Sequence, residues 1–240
     1  MYFPSLSLRD GSVSTLTEKG SVYNFTPGAI HGAPQIWELY SEDFDYTDSV
    51  GNTGHYTYRV PQLEADTEGA VSINRGIERE YGPFVEEALA CRDEGDSISC
   101  AYIVWETYQY GDILSLVMTC AWDNDMNQYS VYLYDTANGT RLTTAELLAQ
   151  MGVDETAFLA AVRQAAAERF DGNYAGITGD FGDFLAERRA WTLSDDNINI
   201  DVMVAYPDEN GQLHVVLPIG SIAGADAYEE WLTPELGAVG

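Results

Sequence analysis

The sequence predicts an α+β fold: antiparallel β-sheets, a central meander plus a C-terminal hairpin, packed against several α-helices. Apolar residues at spacings of three and four mark helices over about residues 70–91 and 154–170. Runs of β-branched and aromatic residues mark strands over about residues 98–134 and again near 198–217. The two kinds of segment come in blocks instead of alternating as βα units, which argues against a parallel α/β sheet.

Residues 1–50 read as short strands and turns. Ser5–Leu8 and Val13–Thr17 alternate around the turn signal Arg9-Asp10-Gly11, which predicts a hairpin. Gly28–Pro34 is punctuated by Gly and Pro, and Asp45–Gly54 is polar, so a boundary is expected near residue 53. That gives a β-rich segment 1–53 and an α+β domain 54–240, divisible at about 54–135 and 136–240. Tyr56–Pro61 reads as a strand whose proline predicts an edge or an end.

Ala70, Ile73, Ile77, Tyr81, Phe84, Ala88 and Cys91 form one stripe of a long helix, with a kink or break expected at Gly82-Pro83. Ile98–Tyr108 and Ile113–Trp122 flank Gly111-Asp112 as a hairpin, and Met126–Tyr134 follows as a third strand. Thr143 and Glu146 make a capping box for a short helix ended by Gly152. Asp154 caps the next helix, with Leu159, Val162, Ala166 and Phe170 expected on one face, and a shorter helix covers about Phe181–Arg189. Ile198–Ala205 and Leu213–Leu217 then read as two strands joined by the turn Pro207–Gly211.

The charge balance bounds the partners. Thirty-nine acidic residues face eleven basic ones, of which only Lys19 is a lysine, for a formal charge of -28. Such a surface repels phosphate backbones and anionic headgroups, so nucleic acid is excluded as a partner and cations or basic proteins are favoured. With 45% apolar residues the core is not sacrificed to the charge. No apolar run is long enough for a membrane span.

Cys91, Cys100 and Cys120 match no zinc spacing. Cys91 and Cys100 bracket the loop 92–99. They are candidates for a disulfide in an oxidising compartment and small buried hydrophobes in a reducing one.

Tests for chemistry are mostly negative. Asp123-Asn124-Asp125-Met126-Asn127 begins like a calcium loop, but Gln128 stands where the turn glycine belongs and Tyr134 where the bidentate glutamate belongs. Ser221 lacks the glycine frame of a nucleophile elbow, and His31, His55 and His214 are scattered. No catalytic residue, metal or cofactor is therefore assigned. The central strands carry Tyr102, Trp105, Tyr108, Tyr110, Trp122, Tyr129, Tyr132 and Tyr134, more aromatics than one core face needs. The candidate ligand-binding set is Trp105, Glu106, Tyr108, Tyr110, Asp123 and Asp125, an aromatic and acidic sheet face suited to a glycan or a basic protein. A glycan hydrolase acting through two carboxylates is the rival reading, and a structural domain of a larger secreted protein a third.

Tyr58-Arg59-Val60-Pro61-Gln62 leads into a helix with Asn74, Ile77 and Glu78, and Asp135-Thr136-Ala137-Asn138-Gly139-Thr140-Arg141-Leu142-Thr143 leads into Glu146-Leu147-Leu148. Near the C-terminus stand Tyr206–Leu213 and Ser221–Tyr228. This order, from about Tyr56 to Trp231, resembles the extracytoplasmic domain of RsiV-like anti-sigma factors and related secreted bacterial proteins. The resemblance implies an extracytoplasmic, secreted or envelope-anchored location and a non-enzymatic binding role. The family's partner in the anti-sigma branch is lysozyme, a basic protein, and related domains adjoin peptidoglycan-modifying modules. The paired-histidine metal motif of those modules is absent from this sequence, so their activity is not implied.

Overall fold

The computed structural model describes residues 17–18, 21–22, 34–122, 126–177 and 182–236. It is an α+β protein of two compact units, Met1–Arg141 and Leu142–Gly240. The strands β1 (Thr17–Glu18) and β2 (Ser21–Val22) pair antiparallel. The hairpin expected between Ser5–Leu8 and Val13–Thr17 lies, Thr17 apart, outside the described residues.

The first unit is built on a six-stranded sheet. Its strands are β3 (Gln35–Thr47), β4 (Thr53–Glu64), β5 (Cys100–Tyr110), β6 (Ile113–Trp122), β7 (Asn127–Asp135) and β8 (Thr140–Leu142), side by side in that order. The break expected near residue 53 is a hairpin turn, because β3 and β4 pair from Gln35↔Glu64 to Thr47↔Thr53. β4 is not an edge strand, but its register with β5 covers only Thr57 and Tyr58, which leaves Pro61 with a strand partner on the β3 side. Pro61 lies opposite Glu38, where the register of β3 slips before Tyr40, and such a bulge tolerates the missing backbone donor. β4 and β5 run parallel through Thr57↔Tyr102 and Tyr58↔Ile103, whereas β5, β6 and β7 form the expected antiparallel meander.

The β4–β5 crossover is α1 (Glu68–Glu94), a single 27-residue helix. Thr67 caps it, accepting from the Ala70 N–H, and Gly95 ends it in the left-handed region at φ 87°. No break occurs at Pro83. Ile73, Ile77 and Tyr81 before it, and Val85 and Ala88 after it, are all buried on the same sheet, which holds the two halves in line. Asn74 ties helix to strand, donating to the Leu63 carbonyl (2.9 Å) and accepting from its N–H (2.7 Å). Beneath α1, Tyr58, Ile103, Leu116 and Met118 are wholly enclosed, and each such side chain stabilises by about 1.5–3 kcal/mol through burial.

The second unit has α2 (Thr144–Met151), α3 (Glu155–Asn173) and α4 (Gly182–Thr192), with β9 (Val204–Pro207), β10 (Leu213–Gly220) and β11 (Ala227–Leu232) as an antiparallel sheet ordered β11-β10-β9. Both caps read from the sequence are present: the Thr143/Glu146 capping box, and Asp154 accepting from the Ala157 N–H. Phe158, not Leu159, shares the buried face of α3 with Val162, Ala166 and Phe170. The strand expected from Ile198 starts only at Val204, and β11 is an additional edge strand. Arg169 reaches β11 from α3, pairing with Glu230 at 2.6 Å and donating to the Trp231 carbonyl.

Two hairpin turns share one device. In Asp48–Asn52 and in Asp208–Gln212 the aspartate carboxylate accepts from the N–H groups two and four residues on, while Gly51 (φ 94°) and Gly211 (φ 80°) take the left-handed position. Asp48 also accepts from Ser97 Oγ at 2.6 Å and Asn52 Nδ2 at 2.9 Å. The Ser97 bond, then those from Asn52 and Val50, hold its carboxyl down at about 2, overcoming a burial effect in the opposite sense. Because the folded-state pKa is depressed, Asp48 stabilises fully above the unfolded value of about 4, and that contribution is lost as pH falls from about 4 to about 2. Asp48→Asn is therefore expected to show a constant stability deficit above about pH 4 that shrinks toward pH 2. Urea denaturation of both proteins across that range measures it.

Candidate functional site

Strand alternation divides the central sheet into two faces. Tyr56, Tyr58, Val60, Ile103, Trp105, Leu116, Met118 and Tyr132 point into the core that includes α1. The neighbouring residues Thr57, Arg59, Tyr102, Glu106, Tyr108 and Tyr110 lie on the other face.

The period of two thus separates the sequence-predicted set. Trp105 is a core residue, 6% exposed. Glu106, Tyr108 and Tyr110 share the outer face, where Tyr108 donates to Glu106 Oε2 at 2.7 Å and Tyr110 is exposed. Asp123 and Asp125 lie outside the described residues. Cys91 and Cys100, for which a bridge is one of two alternatives, are not joined in this structure.

The outer face also carries residues that the sequence reading left aside. Across β3 and β4, Ser41 pairs with Arg59, Asp43 with Thr57 and Asp45 with His55; Thr57 in turn pairs with Tyr102 of β5. One row therefore runs from Asp43 to Tyr102 over three strands. His55 stands between two carboxylates, with Nδ1 2.8 Å from Asp45 and Nε2 3.1 Å from Asp43. Arg59 is buried along its stem, with its guanidinium on Ser41 Oγ (3.0 Å) and Asp43 Oδ2 (3.3 Å). The aspartates remain open to solvent, Asp45 most of all at 85%.

Farther across the sheet the same face closes. Ser115, Val117, Val131 and Leu133, in register with Tyr108 and Glu106, are buried. The accessible acidic and aromatic area is thus on β3, β4 and β5, centred on Asp43, Asp45, Tyr102, Glu106, Tyr108 and Tyr110. The pairing of β3 with β4 and of β4 with β5 assembles it, and β3 carries no signal that names its partner.

A shallow hollow of about 550 Å³ opens in the first unit, lined by Glu64, Thr67, Tyr134 and the Asn138-Gly139 turn among others. Glu64, the one acid in its lining, accepts from Trp37 Nε1 at 2.7 Å. A facing second carboxylate, which glycoside hydrolysis would need, is not part of that lining. Among the described residues no three His, Cys, Asp or Glu side chains are grouped to hold a metal ion.

Comparison with known proteins adds little to this geometry. No family model matches the chain, and no curated protein matches it. Its structure is similar to the crystal structure of a member of the DUF3298 family from Bacteroides fragilis, at 9% identity, over 85% of this chain and 91% of that one. The TM-score is 0.36, too low to carry an argument. No helix among the described residues is long and apolar enough to cross a membrane.

Proposed function

We propose that this chain is a non-enzymatic, extracytoplasmic binding module that recognises a basic protein through the outer face of β3, β4 and β5. The observation that carries the reading is the joint exposure of Asp43, Asp45, Tyr102 and Tyr110 on one sheet face that also carries the half-buried Glu106. Tyrosines supply rigid contact area at small entropic cost, while the carboxylates steer a cationic partner and fix its register. A net charge of -28 adds a long-range attraction for such a partner and repels polyanions. The resemblance to RsiV-like domains supports both the location and the class of partner, since lysozyme is strongly basic.

Titration of the purified chain with lysozyme, and separately with peptidoglycan fragments, tests the reading. Lysozyme is expected to bind at about 20 mM salt and to weaken about tenfold or more by about 200 mM, as screening removes the charge contribution. Salt-insensitive binding of the glycan fragments alone would transfer the face to carbohydrate stacking. Binding of neither at low salt would remove the proposal.

A further inference from the structure

We propose that Cys100 and Cys120 form a disulfide across β5 and β6 when the chain folds in an oxidising medium. Cys100 pairs with Trp122 and Cys120 with Ile103, so the two thiols lie diagonally on adjacent antiparallel strands. Both point into the core that includes α1 and both are buried. The register of β5 slips between Cys100 and Tyr102, and the two sulfurs stand 3.4 Å apart. A covalent bond requires about 2.05 Å, so the two sulfurs must draw together from their present 3.4 Å separation.

The third thiol is placed differently. Cys91 lies near the end of α1, with its carbonyl accepting from the Gly95 and Asp96 N–H groups. It belongs to the helix and not to the β5–β6 pair that brings the other two sulfurs together. The bridge therefore leaves Cys91 as the free thiol and encloses the β5–β6 hairpin. Its gain comes from confining the unfolded chain across that loop.

The oxidant is a small-molecule disulfide such as oxidised glutathione. One cysteine thiolate attacks it, forming a mixed disulfide and expelling one glutathione thiolate. The second cysteine thiolate then attacks the protein sulfur of that adduct, expelling the second glutathione thiolate. The two cysteine protons pass through solvent to the two departing thiolates, so two thiols are oxidised and one disulfide is reduced. Because both sulfurs are buried in the finished core, exchange takes place before the sheet closes.

The positions of arginine make the test direct. No Lys or Arg lies between Asp93 and Thr140, so trypsin leaves Cys100 and Cys120 together on peptide 93–141 and Cys91 on peptide 80–92. The native chain is refolded with reduced and oxidised glutathione, denatured, alkylated without reduction and digested. Peptide 93–141 is expected to be lighter than its reduced form by two hydrogen atoms and to take no alkyl group, while peptide 80–92 takes one. Alkylation of 93–141 at both cysteines, a cross-link between 80–92 and 93–141, or a link between chains would each overturn the proposal.

Discussion

Gly69→Ala is expected to lower the stability of the first unit by about 2–3 kcal/mol or more. Gly69 lies in the opening turn of α1 and donates its N–H to the Gly139 carbonyl at 3.0 Å. A Cβ there would stand 2.5 Å from Arg141 N and Thr140 C and 2.6 Å from Gly139 O. All three are backbone atoms, so no side chain can turn aside; the helix start and the β7–β8 turn must separate. Alanine regains up to about 1 kcal/mol of helix propensity, less than the clash takes away. Gly172→Ala in α3 supplies the contrast: nothing lies within 4 Å of a Cβ there, and the same exchange is expected to stabilise by up to about 1 kcal/mol. Denaturation midpoints of the two variants should move in opposite directions.

Phe158→Ala is expected to lower the stability of the second unit by about 3–5 kcal/mol. Phe158 is fully enclosed and leads the 158-162-166-170 face of α3. Leu159, one position on, is only partly buried, and its replacement by alanine should cost clearly less. Chemical denaturation of the pair measures both the size of the core contribution and which helix face bears it. Equal losses would contradict the assigned face.

The ends of α2 and the start of α3 were legible because their signals are local. A threonine followed three residues later by a glutamate, or an aspartate before an apolar stripe, closes hydrogen bonds within one turn. The meander of β5, β6 and β7 was legible for a related reason, its strands being apolar, β-branched and joined by short turns. β3 was not. Its aromatics alternate with Glu38, Glu42, Asp43 and Asp45, residues disfavoured in strands, and the slip between Glu38 and Tyr40 breaks the period of two. β11 was hidden by Glu229 and Glu230, whose charge suits an exposed edge strand as well as a solvated loop.

The candidate site followed the same division. Glu106, Tyr108 and Tyr110 could be grouped from the sequence, and strand alternation alone would have set Trp105 apart from them. Asp43, Asp45, His55 and Arg59 could not be added, because their place beside Tyr102 depends on the β3–β4 register and on a parallel β4–β5 pairing of two residue pairs. For the cysteines, nearness in sequence suggested Cys91 with Cys100, whereas strand pairing brings Cys120 to Cys100.

The central claim is that one face, and not the total negative charge, selects the partner. Two triple variants of equal net charge separate these causes. One carries Asp43→Asn, Asp45→Asn and Glu106→Gln on the outer sheet face; the other carries Glu78→Gln, Glu87→Gln and Glu94→Gln on the exposed side of α1. Calorimetric titration with lysozyme at low salt is expected to show about tenfold weaker binding for the face variant, as three partly exposed ion pairs of about 0.5 kcal/mol each would give. The α1 variant is expected to stay within about twofold of the native chain. Equal weakening of both variants would contradict the account.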